Sequence, residues 1–239
     1  MTLDEVLERA AHEPPEDWPH VVADDRFLTY ILVDQLEYRA RKGRDALGWE
    51  TEAWLGYDYD KLWVESAGEA MVEGEDEIAV TNEIKYSRLI TPFWNFQIGV
   101  ANELTWTDEQ TEDTWAAVVA LDGMAPYMFE CTPSVELTED GDVFGAFEAE
   151  YNLRITQRLV LQPRTEMEFA AQDMPEEHTG AGLTHVALDL RLRYALRREF
   201  APYIGVRYGF LVGETHSIAS ARGEDPDAVA LLAGMRLAF

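Results

Sequence analysis

Ten glutamates carry the chemistry this chain can most readily do: Glu50, Glu52, Glu65, Glu69, Glu83, Glu103, Glu148, Glu150, Glu166 and Glu168. Each falls on one face of a segment whose other face is largely apolar. In 49–57, for example, Trp49, Thr51, Ala53, Leu55 and Tyr57 alternate with Glu50, Glu52, Trp54 and Gly56. Period two is the spacing of a β-strand. Carboxylates gathered on a low-dielectric wall concentrate cations and speed their entry, and rings of Asp and Glu select for cations in pores. Arg154, Arg158, Arg164, Arg191, Arg193, Arg207 and Arg236 offer these carboxylates a different use, as ion-pair partners that fill an interior. The glutamates of the early segments have little nearby cation besides Lys61 and Lys85, whereas the arginines fall late. One acidic wall and one salt-bridged wall are expected.

Positioning these side chains requires long strands. About twelve strand-like segments can be marked: 27–40, 47–57, 61–70, 77–88, 93–105, 114–122, 126–137, 142–154, 157–171, 184–197, 202–213 and 227–239. None of the stretches between them shows helical periodicity. In THVALDLRLRYALRREF, Val186, Leu188, Leu190, Leu192, Tyr194 and Leu196 alternate with Asp189, Arg191, Arg193 and other small or charged residues. The first segment is ambiguous, because Asp34 falls on its apolar face, and the parity of the third is open as well. Residues 1–25 read as a separate polar arm, and 26–239 as the folded unit.

Composition narrows the classes. With 46 acidic and 19 basic residues the formal charge is −27, which repels nucleic acid. A single cysteine, Cys131, excludes an internal disulfide framework. No apolar run is long enough for a transmembrane helix, and no secretory signal is readable in MTLDEVLERAAHEPPEDW. A barrel crosses a membrane without such a run, and its export would imply a trimmed chain.

Connections alternate between short turns (GYDYDK, LITPF, DGMAP, RITQ, REFAPY) and longer, mostly acidic loops such as 107–113, 172–182 and 213–227. Three short turns contain a Pro-aromatic step, at Pro92, Pro126 and Pro202, where proline can start a strand. Alternating turns and loops mark an up-and-down barrel of an outer membrane. The strands are longer than those of globular sheets and match a tilted bilayer crossing. Trp49, Tyr57, Tyr86, Trp94, Tyr127 and Tyr203 suit interfacial girdles. The last strand sets Val229, Leu231, Ala233, Met235, Leu237 and the final Phe239 on one face. The expected fold is therefore all-β, a transmembrane antiparallel up-and-down β-barrel of about 12 strands facing outer-membrane lipid.

DQLEYR (34–39), KLWVESAGE (61–69), YSRLITPFWNFQIGV (86–100), TWAAVVALDGMAPYMFE (114–130), AEYNLRITQRLVLQPRTE (149–166) and REFAPYIGVRY (198–208) closely resemble the copper resistance protein B family (CopB/PcoB). The match runs in order along nearly all of 27–239. It implies an outer-membrane barrel that binds or passes copper ions, with periplasmic copper-handling proteins as possible partners. Members often carry a Met- and His-rich segment before the barrel, whereas residues 1–25 here hold only Met1, His12 and His20.

Imidazole suits Cu(II), and thioether suits Cu(I). Met174 and His178 share one outer loop, His185 heads the next strand facing inward, and His216 lies in the last loop. They are either a ligand set at the barrel mouth or separate loop residues. Met124, Met128 and Cys131, around a periplasmic turn, read as packing. Ser217 beside His216 lacks the orienting context of a nucleophile, and Glu148/Glu150 lack a sugar pocket. The sequence reads as a non-enzyme. A closed barrel of structural or adhesive role and a rim-located membrane enzyme are the alternatives.

Overall fold

The computed structural model describes residues 2, 26–72, 74, 77–108, 110–174 and 178–239. Except for residue 2, the polar arm expected over 1–25 lies outside them. Twelve antiparallel strands follow in chain order: β1 (Leu28–Arg41), β2 (Ala46–Gly56), β3 (Asp60–Met71), β4 (Glu77–Thr91), β5 (Trp94–Thr107), β6 (Thr111–Ala125), β7 (Phe129–Thr138), β8 (Val143–Glu150), β9 (Leu159–Ala170), β10 (Gly182–Tyr194), β11 (Phe200–Leu211) and β12 (Asp227–Ala238). A two-residue extension of β8, Leu153–Arg154, continues its pairing with β9. Each strand pairs with its sequence neighbours, and β12 pairs with β1. The sheet closes and leaves no edge, the condition for a sheet to cross lipid.

Burial is inverted relative to a water-soluble domain. The largest fully buried side chains are Gln35, Gln97, Glu37, Val118 and Ser87, whereas Ile31, Ile84, Ile98, Val135, Ile204 and Leu231 are exposed. A continuous apolar surface around a polar interior has lipid as its solvent. The apolar face of the last strand, Val229 to Leu237, belongs to that surface. Tyr57, Tyr86, Phe93 and Phe129 ring the short-turn end, and Tyr38, Trp106, Trp115 and Tyr208 ring the other. The short turns and both ends of the barrel sequence mark the periplasmic side.

Several expectations are corrected. Tyr203 is not a girdle residue, because its strand parity turns it inward and its hydroxyl donates to Glu37 Oε2 at 2.8 Å. Strand β11 begins at Phe200, so Pro202 lies inside it. The acidic loop read over 107–113 shrinks because β5 and β6 continue pairing to Trp106 and Thr111. The last outer loop contains an α-helix, α1 (Gly213–Arg222), ended by Gly223 at φ 80°. It buries only Thr215 and Ala219, too narrow a stripe to register as helical periodicity.

Asp34 resolves through a β-bulge. Register shifts between Val33 and Gln35 on the β2 side and between Val33 and Leu36 on the β12 side. The extra residue lets Asp34 and Gln35 both face inward, and the alternation resumes beyond them. On β12, Gly234 sits between Tyr203 of β11 and Glu37 of β1. A Cβ there would meet Glu37 Cβ at 2.6 Å and the Tyr203 ring at 2.8 Å. The missing side chain is the space the ring crosses to reach Glu37. Gly234→Val is expected to displace that ring and lower stability by about 1 to 3 kcal/mol, measured as a lower urea midpoint of the barrel in detergent.

Candidate functional site: a divided lumen

Strand parity turns all ten glutamates inward. On the β8–β12 side and β1, arginine binds the acids into a lattice. Glu37, whose side chain is fully buried, takes a two-pronged contact from Arg191 (both N···O 3.2 Å), one from Arg39 Nε at 2.9 Å and the Tyr203 hydroxyl. Arg191 also reaches Gln35 Oε1 at 2.8 Å and Asp189 at 3.1 Å. Arg207 spans Glu166 and Asp189, and Arg236 holds Asp34 at 2.5 Å.

Arg164, on β9, is the crossing point. It donates to Glu148 at 2.5 Å on neighbouring β8. Its Nη1 lies 2.8 Å from Glu50 on β2, on the far side of the lumen, and its Nε 3.2 Å from Glu166. Only the Glu148 contact has hydrogen-bond geometry. Glu50 also accepts from Gln35 at 2.6 Å. This strut narrows the barrel.

The opposite wall, β2 to β7, is poor in cations. Lys85 is clamped by Glu65 at 2.7 Å and Glu83 at 2.6 Å. Near the outer end Glu69 is taken by Arg39 and Arg41. Glu52, Glu103, Asp122 and Glu136 lie inward with no cation within ion-pairing distance among the described residues. Glu52 faces Glu65 directly and lies within electrostatic reach of Asp122 across the lumen. A cavity of about 990 Å³ spans the lumen beside the strut, lined by Glu52, Glu65, Asn95 and Asp122 on this wall and by Arg39, Arg164, Arg207 and Arg236 of the lattice. Toward the periplasm, Tyr30, Trp54 and Trp63 form an inward aromatic stack, with centroids 5.8 and 6.3 Å apart and Lys61 over Trp54 at 5.3 Å.

The candidate metal ligands differ in setting. Met174 is buried, and His178 and His216 are exposed. His185 faces the lumen with Nδ1 3.3 Å from Glu168 Oε1. Among the described residues no three His, Cys, Asp or Glu side chains are arranged to hold a metal ion. Arg154 and Arg158, expected as lumen partners of the glutamates, are instead exposed at the periplasmic turn. Strand pairing is interrupted around 151–158: Arg154, opposite Val160, keeps the inward parity at the open mouth, and Arg158 lies on the turn itself. Arg193 is in the lumen but binds neutral acceptors, Asn152 Oδ1 at 2.8 Å and Gln162 Oε1 at 3.5 Å.

Residues 27–239 match the family described as Copper resistance protein B precursor (CopB). Copper resistance protein B of Escherichia coli is 36% identical over 92% of this chain and 72% of its own length. The homolog from Pseudomonas syringae pv. tomato (strain ATCC BAA-871 / DC3000) is 31% identical, over 92% and 73%. The chain belongs to the copper resistance protein B family. Among solved structures, the NanC porin superposes with a TM-score of 0.54 at 12% identity, covering 85% of this chain and 98% of that one. The KdgM porin does so at 0.50 and 7%, covering 89% and 99%. These likenesses concern the barrel fold of this CopB-family chain alone.

Sequence reasoning missed several lumen residues: Asp34, Gln35, Glu37, Arg39, Asp122, Glu130, Glu136 and Asp189. Most were in phase with recognisable alternation, as in DQLEYR, where Leu36 and Tyr38 face lipid. The bulge hid the first of them. Because Arg164 answers three carboxylates, Arg164→Gln is expected to destabilise this CopB-family barrel by about 3 to 5 kcal/mol. It would also raise single-channel conductance, since the strut to Glu50 is lost. Urea unfolding and planar-bilayer recording check the two effects separately.

Proposed function

We propose that this copper-resistance barrel holds and passes copper ions along the acidic half of its lumen. The observation that carries the reading is the division of the interior. One side is cross-linked by arginine, and across the cavity between them the other side presents Glu52 and Asp122, which have no cation partner among the described residues. Family membership supplies the ion, and the charge distribution supplies the path. The ten glutamates have different parts in this reading. Glu52, Glu65, Glu83, Glu103 and Glu150 line the route, Glu168 stands beside His185, and Glu50, Glu69, Glu148 and Glu166 are held by arginine and shape it.

The mechanism is electrostatic and involves no covalent step. Exposed acids on the outer loops, among them Asp108, Glu139, Asp140 and Asp173, raise the local cation concentration. His185 with Glu168 provides an imidazole and a carboxylate on the lumen face of β10 and β9 near the outer end. Carboxylate oxygens are weak copper ligands compared with imidazole or thioether. A succession of weak sites suits passage, which requires that ions leave as readily as they enter. The arginine lattice keeps the barrel narrow and repels cations from the other wall.

The test is copper flux into liposomes carrying the purified barrel, compared with Glu52→Gln/Asp122→Asn. Neither residue is ion-paired, so the variant is expected to fold normally while flux falls roughly tenfold. Equal flux in both proteins would remove the acidic wall from the path. No flux in either would mean a lumen sealed by the Arg164–Glu50 strut, and a closed structural barrel.

A further inference from the structure

The lattice and the acidic wall leave one group of cations unused. Arg154 and Arg158 lie on the turn between β8 and β9, and Arg197 and Arg198 on the turn between β10 and β11. All four are exposed, and none has a carboxylate within ion-pairing distance among the described residues. The two turns are adjoining, because the Ala195 N–H donates to the Arg158 carbonyl at 2.7 Å. The group continues inward, since Val160 is paired with Arg154 on one side and with Arg193 on the other. Arg193 faces the lumen, so Arg154 stands in the same inward row. Five arginines therefore form an arc from the rim into the periplasmic mouth. Exposed Glu199 is the acid on the second turn. This occurs in a chain of net charge −27, whose outer loops are acidic.

Such an arc is a poor outlet for a bare cation. It is also costly to leave, because like charges crowded at one edge repel. We propose that the arc is the docking surface for an acidic soluble protein of the periplasm, seated at the mouth of the barrel. Charge complementarity selects the partner's sign, and the inward row selects its position. Phospholipid headgroups surround the outside of the barrel, whereas Arg154 and Arg193 belong to the lumen face. Arginine forks bind carboxylates two-pronged, and this surface steers and orients an acidic partner more than it adds raw affinity. The docking role rests on the reading of the lumen as a copper path, to which it gives an acceptor at the inner end. It is tested without copper, so the two fail independently.

The probe is a fluorescein-labelled decaglutamate peptide, titrated onto the full chain in phosphatidylcholine nanodiscs and followed by anisotropy. The expected result is saturable binding at low salt that weakens as salt rises. It should be about tenfold weaker in Arg154→Gln/Arg158→Gln/Arg197→Gln/Arg198→Gln. Those side chains make no ion pair among the described residues, and an unchanged circular dichroism spectrum and urea midpoint establish the variant's fold. Absence of binding by the parent protein, or equal binding by the two, overturns the proposal. So does a variant that loses co-purified phosphatidylglycerol while peptide binding is unchanged, which would make the arginines clamps for lipid headgroups.

Discussion

A charge inside a membrane-spanning barrel is tolerable only when another charge or a set of hydrogen bonds answers it, and this fold is organised around that requirement. Glu37 and Arg164 are its two centres. Glu37 gathers two arginines and a tyrosine from β1, β10 and β11. Arg164 gathers three glutamates from β2, β8 and β9. Between them they reach half of the strands. They hold the interior in one arrangement that apolar packing, directed outward to lipid, cannot enforce.

The same requirement explains the asymmetry of the lumen. Beyond Glu50, which Arg164 reaches, the glutamates of β2 to β5 are answered by Lys85, by the outer arginines of β1 and, at Glu77, by Arg44. The remaining carboxylates stay in the wetter half, beside the cavity, where water and mobile cations can reach them. The stable half and the open half of the barrel are thus two outcomes of one distribution of charge. The inward stack of Tyr30, Trp54 and Trp63 occupies the narrowing toward the periplasm with apolar area. It lies outside the arginine lattice.

Much of this was legible in the residues. Period-two alternation in 49–57 and 186–196 gave face, length and orientation correctly, because lipid on one side leaves a strand no freedom to slip by one residue. Inward parity of the ten glutamates followed from it. What alternation cannot carry is a break in its own phase. The bulge at Asp34 and Gln35 concealed the start of the lattice, and the interrupted β8–β9 connection left Arg154 exposed at the mouth and Arg158 on the rim, away from the glutamates. Nor does alternation say which inward residues meet. The Arg164–Glu50 contact joins positions far apart in sequence through barrel curvature alone. Helix α1 went unseen because it is held by two small buried side chains and a glycine cap. Tyr203 was in phase with the inward Arg207, so its facing was legible; what was not is its reach to Glu37 through the space that Gly234 leaves.

The seam between β12 and β1 bears on how such a chain assembles. Asp34 meets Arg236 across it, Tyr203 reaches Glu37 over it, and Ile31 exchanges both backbone bonds with Phe239 at its end. Each of these contacts joins the first strand to one of the last two. Until the chain is complete and the ends come together, Asp34 lacks Arg236 and Glu37 has only Arg39 of its own strand to answer it. A partly closed barrel therefore forgoes backbone bonds and polar satisfaction at once, and closure is the step at which both are recovered together. Assembly in this arrangement resembles fastening a clasp, with little to gain from any intermediate degree of closing.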